Sequence, residues 1–283
     1  MGPALTCPQP VQDGETDMLA SSSLATAHAA HTLRLLPGRG PRSLDCWLAL
    51  PARPDPAAPP LVAVHGIGRG AREMAENFAA RAAAEGRAVV APLFDETRWQ
   101  GYQRAVAPRR ADLALLGLLG DLAAAGIVAG DAVDLVGYSG GAQFAHRFAM
   151  LYPHRLRRLS VCAAGWWTMP TPAAAFPYGV AGAWGMRLAA GMDRFLGLDL
   201  AVSVGADDDR PDPAMRSAPA LDAAQGPHRV ARAQAWVAAL RAEAARRGLP
   251  APRLSLTLLP GCGHDFAACA AAGFVDLTFN QTL

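Results

Sequence analysis

The chain has 283 residues, of which 52% are hydrophobic, and this combination predicts one large domain with a full core. The formal net charge is +2, and all 26 basic residues are arginine. So small a net charge gives no electrostatic argument for nucleic acid or an anionic membrane as a partner.

Cysteine usage and hydropathy indicate the setting in which the protein works. The five cysteines lack the spacing of a disulfide framework or a metal site, which predicts free thiols in a reducing compartment. The amino terminus carries no basic segment followed by an apolar run, and no stretch is apolar enough to span a bilayer. We therefore expect a cytoplasmic protein with no membrane span, no metal and no organic cofactor; the sequence assigns no oligomeric state.

In chain order, residues 1–30 are rich in Ser, Ala, Thr and Pro without a clear period, and they predict a flexible N-terminal arm. Apolar runs then alternate with amphipathic segments, so residues 31–283 are predicted to form a single α/β domain. The predicted strands are residues 32–36, 43–50, 61–64, 88–94, 133–136, 159–164, 200–204 and 254–259. The predicted helices are residues 72–85, 110–125, 142–150, 229–247 and a last helix after residue 265.

This alternation predicts a mostly parallel central sheet of about eight strands with helices on both faces. The first two strands, joined by a turn at residues 37–41, predict an antiparallel hairpin at one edge. Residues 166–198 interrupt the alternation with aromatic side chains among prolines and glycines, which predicts a cap-like insertion over the carboxyl edge of the sheet. Ligands bind at that edge in sheets of this type.

The strongest motif is the G-x-S-x-G pattern from Gly137 to Gly141. It lies between a predicted buried strand and a predicted helix, which is the context of a nucleophile elbow. On so sharp a turn Ser139 must adopt a strained backbone conformation, and the glycines remove side chains that would collide there. The Ser139 hydroxyl then stands at the carboxyl edge of the sheet, beside the amide of Gly140 at the start of the helix.

A serine hydroxyl needs a base to take its proton, and the base needs a partner that fixes its tautomer. Among seven histidines, His264 directly follows a predicted strand, in a glycine-rich loop. Of the carboxylates between the elbow and this histidine, only a run of three aspartates follows a buried apolar strand. We predict Asp208 as the partner of the histidine, with Asp207, Asp209 and Asp212 as the alternatives.

The chain order Ser139, Asp208, His264 is the order of the α/β-hydrolase fold, and the chain resembles this superfamily of serine hydrolases over roughly residues 32–283. The resemblance rests on His65-Gly66 after the third strand, the elbow, Gly205-x-x-Asp208, and Gly263-His264 after the last strand. It implies that Ser139 attacks a carbonyl carbon, that His264 acts as base and then acid, and that Asp208 orients His264.

More narrowly, residues 139–144 and the later Gly165-Trp166 resemble the bacterial polyhydroxybutyrate-depolymerase and esterase-like branch. The resemblance implies an esterase that cleaves a small-molecule carboxylic ester through an acyl-enzyme intermediate, without a cofactor. Alternatives on the same triad are an acyltransferase or a cofactor-free haloperoxidase-like enzyme. A non-catalytic binding protein is a further alternative, which would require a missing triad residue.

The developing oxyanion needs hydrogen-bond donors that are already in place. The amide of Gly140 is one predicted donor. The second is expected from the loop after His65-Gly66, at the amide of Ile67, with Gly68 as the alternative.

Aromatic residues are the candidates for the substrate-binding site. Tyr138 flanks the predicted nucleophile, and Trp166 and Trp167 begin the predicted insertion. We predict that these three side chains form an apolar wall. Residues 99–104, after the fourth strand, are predicted to supply polar contacts.

Overall fold

The structure is a computed structural model that describes residues 1–2, 31–128, 130 and 132–280. Eight strands form one sheet: β1 (His31–Leu36), β2 (Asp45–Pro51), β3 (Leu61–Val64), β4 (Val89–Leu93), β5 (Val133–Tyr138), β6 (Leu156–Cys162), β7 (Asp199–Gly205) and β8 (Leu254–Leu259). Their spatial order is β1-β2-β4-β3-β5-β6-β7-β8. β2 is antiparallel to β1 and β4, and the other neighbours are parallel. The predicted α/β fold with an antiparallel hairpin at one edge is confirmed.

The helices are α1 (Ala71–Ala84), α2 (Ala111–Ala124), α3 (Gly140–Leu151), α4 (Gly182–Ala190), α5 (Met192–Leu196), α6 (Pro219–Gln225), α7 (Arg229–Arg246), α8 (Phe266–Cys269) and α9 (Val275–Phe279). They pack in groups: α1 contacts α9 and strands β2–β4, whereas α3 contacts α4, α5 and strands β3, β5 and β6. α7 contacts β7 and β8. Short helix α6 is absent from the sequence prediction, because seven residues are too few to establish a helical period.

The centre of the sheet is where the strand order reverses. The chain passes from β3 outward to β4 and then returns past β3 to β5, so β3 and β5 are neighbours. Val64 pairs with Gly137, so the loop after β3 and the turn after β5 leave the sheet side by side. Every residue of β3 and β5 is buried, as expected for parallel strands covered on both faces. The reversal creates a crevice at the carboxyl edge of the sheet.

Two sequence predictions concern segments outside the central sheet. The first is the N-terminal arm at residues 1–30, of which residues 3–30 lie outside the described residues. Residues 166–198 contain α4 and α5, and their role as a cap stays a prediction.

Four of the cysteines are described, and all four are free and buried: Cys46, Cys162, Cys262 and Cys269. Within the described ranges, no helix has the length and apolar character needed to cross a membrane.

A buried ion pair stabilises the amino-terminal half of the central strands. Asp134 in β5 is 1% exposed, and its Oδ2 lies 2.6 Å from Nη2 of Arg87, which is 3% exposed. Arg157, whose side chain is half exposed, donates two further hydrogen bonds to the same carboxylate at 2.9 and 2.8 Å. The carboxylate therefore pairs with one buried and one half-exposed guanidinium.

Replacing Asp134 should be much more costly than replacing its exposed partner. Asp134→Ala leaves the buried Arg87 without its nearest anion, and we expect the free energy of unfolding to fall by about 3–5 kcal/mol. Arg157→Gln should cost about 1 kcal/mol or less because that side chain is solvated. Urea unfolding of both variants measures the difference. Equal losses would contradict the importance of the buried pair.

Candidate active site

The predicted nucleophile elbow is a strained turn between β5 and α3. Ser139 has φ 52° and ψ −113°, a conformation that a residue with a side chain rarely adopts, and α3 begins at the next residue. A Cβ atom on Gly141 would collide with the carbonyl oxygens of Val64 and His65, and one on Gly137 would collide with the backbone of Gly141. Gly141 is therefore required for α3 to approach the end of β3 this closely, and Gly137 is required for α3 to begin this close to β5.

The structure brings Ser139, His264 and Asp208 together in one hydrogen-bonded chain. Ser139 Oγ lies 3.0 Å from His264 Nε2, and His264 Nδ1 lies 3.1 Å from Asp208 Oδ2. A carboxylate only accepts hydrogen bonds, so Nδ1 carries the proton and Nε2 accepts from the serine hydroxyl. This arrangement can take a proton from Ser139.

Contacts between the loops after β7 and β8 determine which aspartate reaches the histidine. Asp207 N donates to the carbonyl of Cys262 at 3.0 Å, and a Cβ atom on Gly205 would collide with that same carbonyl. The turn buries Asp208, which is 5% exposed, and leaves Asp207 and Asp209 exposed. Of the four candidate aspartates, Asp208 is the one in contact with His264.

Arg229 is a residue of this cluster that the sequence prediction missed. Its Nη1 donates to Asp208 Oδ1 at 2.9 Å, and its Nη2 lies 2.8 Å from Asp212 Oδ2. Arg229 therefore holds one oxygen of the Asp208 carboxylate while His264 occupies the other. It is the first residue of α7, where a cation is unfavourable for the helix dipole. An arginine at the start of a predicted helix could therefore have indicated that an anionic side chain pairs with it.

Two backbone amides lie near Ser139. Gly140 is the first residue of α3, so its N–H has no partner within the helix. A Cβ built on Gly140 would lie 3.3 Å from Ile67 N, which places the two residues in contact. Among the described residues, the Ile67 amide donates no hydrogen bond. These are the two amides that the sequence prediction selected for an oxyanion hole.

The loop that carries Ile67 is fixed by a neutral histidine. His65 Nε2 accepts from the backbone N–H of Phe94 at 3.0 Å, so the ring proton lies on Nδ1, which donates to the carbonyl of Gly66 at 2.7 Å. The hydroxyl of Tyr102 donates to the carbonyl of His65 at 2.6 Å. Burial is the main reason that the pKa of His65 falls to about 4, and nearby Arg69 lowers it further.

The cavity beside Ser139 has a volume of about 420 Å³. Its lining residues are Ile67, Gln103, Arg104, Ser139, Gln143, Gly165, Trp166, Pro213, Ala214, Met215, Arg216, Arg229 and His264. The predicted wall residue Trp166 is among them. Gln103 and Arg104 come from residues 99–104, which were predicted to supply polar contacts.

The other two predicted wall residues lie elsewhere. Trp167 has no exposed surface, and its ring stacks on Trp236 with the centroids 4.1 Å apart, so it packs in the core. Tyr138 stacks on the ring of His264 with the centroids 5.3 Å apart and lines a smaller cavity with Gly66 and Phe266. An aromatic residue near Ser139 looks the same in the sequence whether its side chain faces a ligand or packs against protein. The sequence therefore could not distinguish Trp166 from Trp167 and Tyr138.

No metal-binding cluster is present in the part of the chain that the structure describes: no three His, Cys, Asp or Glu side chains are grouped closely enough to hold an ion. The polar groups around Ser139 are instead arginines, amides and one histidine.

The strand order and the strained serine between β5 and α3 define an α/β-hydrolase fold. The chain is similar to LpqC, a poly(3-hydroxybutyrate) depolymerase from Bordetella parapertussis, at 26% identity and a TM-score of 0.75 over 94% of this chain and 96% of that one. The predicted resemblance to that branch is thereby confirmed in structure.

Two further solved structures share the fold. Poly(aspartic acid) hydrolase-1 from Sphingomonas sp. KT-1 matches at 23% identity and a TM-score of 0.74, covering 89% of this chain and 99% of that chain. Carboxyl esterase 2 from Tuber melanosporum matches at 15% identity and a TM-score of 0.54, covering 89% of this chain and 86% of that chain. Neither a protein-family model nor a curated protein matches the sequence. The chain therefore has the fold of hydrolases that include esterases and depolymerases.

The neutral state of His65 should make stability depend on pH. The pKa of about 4 in the folded protein lies below the ordinary value, so between pH 6.5 and pH 4 the unfolded chain binds more protons. Stability therefore rises with pH through that window, and this group alone should remove about 3 kcal/mol between pH 7 and pH 4.

Urea unfolding from pH 4 to pH 7 measures this dependence. His65→Asn should unfold with a flatter pH profile than the wild-type protein, because the titrating group is gone. His154→Asn is the control, because it makes the same substitution at an exposed histidine. A His65→Asn profile as steep as the wild-type one would contradict the assignment.

Proposed function

We propose that the protein is a serine hydrolase that cleaves a carboxylic ester through an acyl-enzyme intermediate. The observation that carries the proposal is the chain of contacts from Ser139 Oγ through His264 to Asp208, at 3.0 and 3.1 Å. The similarity in fold to a depolymerase and to a carboxyl esterase supports the same reaction class.

The first half of the reaction forms the acyl-enzyme. His264 Nε2 takes the hydroxyl proton while Ser139 Oγ attacks the ester carbonyl carbon, and the carbonyl oxygen becomes an oxyanion. The amides of Ile67 and Gly140 stabilise that oxyanion, and a donor of this kind is typically worth about 2.7–4 kcal/mol. His264 then gives its proton to the leaving alkoxide, and the acyl group stays on Ser139.

The second half releases the acid. His264 takes a proton from a water molecule, the resulting hydroxide attacks the acyl carbon, and His264 returns the proton to Ser139 Oγ as the ester bond to the enzyme breaks. Asp208 keeps the Nδ1 proton in place throughout and stabilises the positive imidazolium. Arg229 holds the other oxygen of Asp208 and so limits rotation of that carboxylate.

The cavity limits the size of the substrate group that can lie beside Ser139. A volume of about 420 Å³ is in the range of pockets that bind small to medium-sized molecules. Trp166 and Met215 provide apolar surface, and Ile67, which is 56% exposed, stands at the same cavity. We therefore propose a small or medium-sized ester, or the end of a longer one.

Labelling with a fluorophosphonate tests the nucleophile. We expect one covalent adduct per chain, located on Ser139 by intact mass and peptide mapping, because His264 activates this hydroxyl. Ser139→Ala should fold normally and carry no adduct, and His264→Ala should slow labelling strongly.

Substitution of a serine outside the site supplies the control. Ser203→Ala alters a buried serine in β7 and should leave the adduct on Ser139 unchanged. A well-folded wild-type protein without an adduct, or an adduct that persists in Ser139→Ala, would contradict the proposal.

The identity of the acid is tested by comparing adjacent aspartates. Asp208→Asn should lower kcat for a para-nitrophenyl ester by about 10⁴-fold, because an amide in place of the carboxylate favours the wrong tautomer of His264. Asp207→Asn and Asp209→Asn should change kcat little, since both side chains are exposed and do not contact the histidine. A severe loss in Asp207→Asn with a mild one in Asp208→Asn would refute the assignment.

A further inference from the structure

The cavity beside Ser139 is lined by an arginine, Arg104, that has no hydrogen-bond or ion-pair partner among the described residues. Arg104 is the last residue of a short 3-10 helix, Tyr102–Arg104, and its Nε is buried without a hydrogen bond. In the part of the chain that is described, its side chain makes no hydrogen bond or ion pair. A buried donor without an acceptor is costly, so such a group in a cavity indicates a site for an anion.

A second arginine lies directly behind the cavity wall and is also without an anion. Arg147 in α3 has no exposed surface and donates to Thr168 Oγ1 and to the carbonyls of Gln103 and Gln143, at 2.9, 2.7 and 2.7 Å. Its guanidinium lies 4.2 Å from the ring centre of Trp166. Among the described residues no carboxylate pairs with it, so its partners are carbonyls, one hydroxyl and an aromatic ring, and none of them is an anion.

The charges of these two arginines act on each other. Burial and the positive charge of Arg104 both lower the pKa of Arg147. A guanidinium nevertheless keeps its proton in a folded protein, so two like charges remain close together, that of Arg147 without exposed surface and that of Arg104 on a half-buried side chain. The cavity therefore has a positive electrostatic potential that the protein itself does not neutralise.

Two further polar groups face the same cavity. Arg216 is exposed at the cavity, where its guanidinium lies 5.8 Å from the ring centre of Tyr178. Gln143 is 7% exposed, and its amide oxygen is buried without a partner, so rotation of the amide can present either a donor or an acceptor. Arg229 also lines the cavity but differs from Arg104 and Arg216, because its charge is already paired with Asp208 and Asp212.

We propose that the cavity binds esters that carry a carboxylate close to the scissile bond, and that Arg104, assisted by Arg216, binds this carboxylate. The inference rests on the proposed hydrolase function and adds the substrate class to it. A guanidinium matches the planar geometry of a carboxylate with two parallel hydrogen bonds. The bound carboxylate would neutralise the charge that Arg104 adds beside Arg147.

Two pairs of esters, each matched in shape and different in charge, test the proposal. In the first pair, mono-para-nitrophenyl glutarate carries a carboxylate on the acyl side and para-nitrophenyl pentanoate is its neutral counterpart. In the second pair, para-acetoxybenzoate carries a carboxylate on the alcohol side and para-acetoxybenzamide is its neutral counterpart. The quantity measured is kcat/KM for the charged ester divided by kcat/KM for the neutral one, and comparison between variants removes differences in intrinsic reactivity.

We expect this ratio to fall by about 10- to 100-fold in Arg104→Gln for one of the two pairs, the loss expected for a hydrogen bond to a charged group. Arg104→Gln combined with Arg216→Gln should lower the ratio further, and Arg104→Lys should retain part of it. Arg34→Gln is the matched control, because Arg34 is exposed on β1 at the far edge of the sheet and should leave the ratio unchanged.

Thermal unfolding provides a readout that does not depend on turnover. Arg104→Gln should have a higher Tm than the wild-type protein, since the repulsion with Arg147 is removed. Glutarate should raise the Tm of Ser139→Ala, which cannot react, and should not raise the Tm of the Ser139→Ala, Arg104→Gln double variant. Pentanamide is the neutral control and should have no effect on either.

The possible results separate the two proposals. Turnover of the neutral esters with the same ratio in wild type and Arg104→Gln would overturn the carboxylate site and leave the hydrolase function standing. A ratio that falls equally in Arg34→Gln would also overturn it, because the effect would then come from net charge alone. No turnover of any ester and no adduct on Ser139 would overturn the hydrolase function and the inference that depends on it.

Discussion

The close approach of α3 to the end of β3 is the constraint on which the site depends. Gly141 allows the first turn of α3 to lie against the carbonyls of Val64 and His65, a distance at which any side chain would collide. This contact keeps Ser139 in its strained conformation and sets the amide of Gly140 beside that of Ile67. Since β3 and β5 are neighbours only because the strand order reverses, the topology of the whole sheet supports this one contact.

The other half of the site is built by two loops that hold each other. The turn after β7 and the loop after β8 are joined by the hydrogen bond from Asp207 N to the carbonyl of Cys262, and Gly205 leaves room for that contact. Asp208 is then held on both oxygens, by His264 and by Arg229. A carboxylate fixed on two sides keeps its own position and orients the imidazole, and the proposed proton transfer from Ser139 depends on this preorganisation.

Charge in the cavity is arranged at a cost to the folded state. Arg147 has no surface exposed to solvent and Arg104 lies beside it, yet neither is paired with a carboxylate among the described residues. Interior charges are normally paired, because an unpaired one loses hydration without gaining a partner. Local arrangements that reduce stability are common at functional sites, where they favour the ligand that relieves them.

The sequence by itself determined the fold class and the chain order of Ser139, Asp208 and His264, because strand alternation and the glycine positions are local signals. Only the tertiary structure decided which of three adjacent aspartates meets the histidine, since that depends on contacts between loops far apart in the chain. The same holds for Trp167, which packs in the core, and for Arg104, which lines the cavity without an anionic partner among the described residues. Local sterics are encoded by neighbouring residues, whereas burial and charge pairing depend on residues that folding brings together.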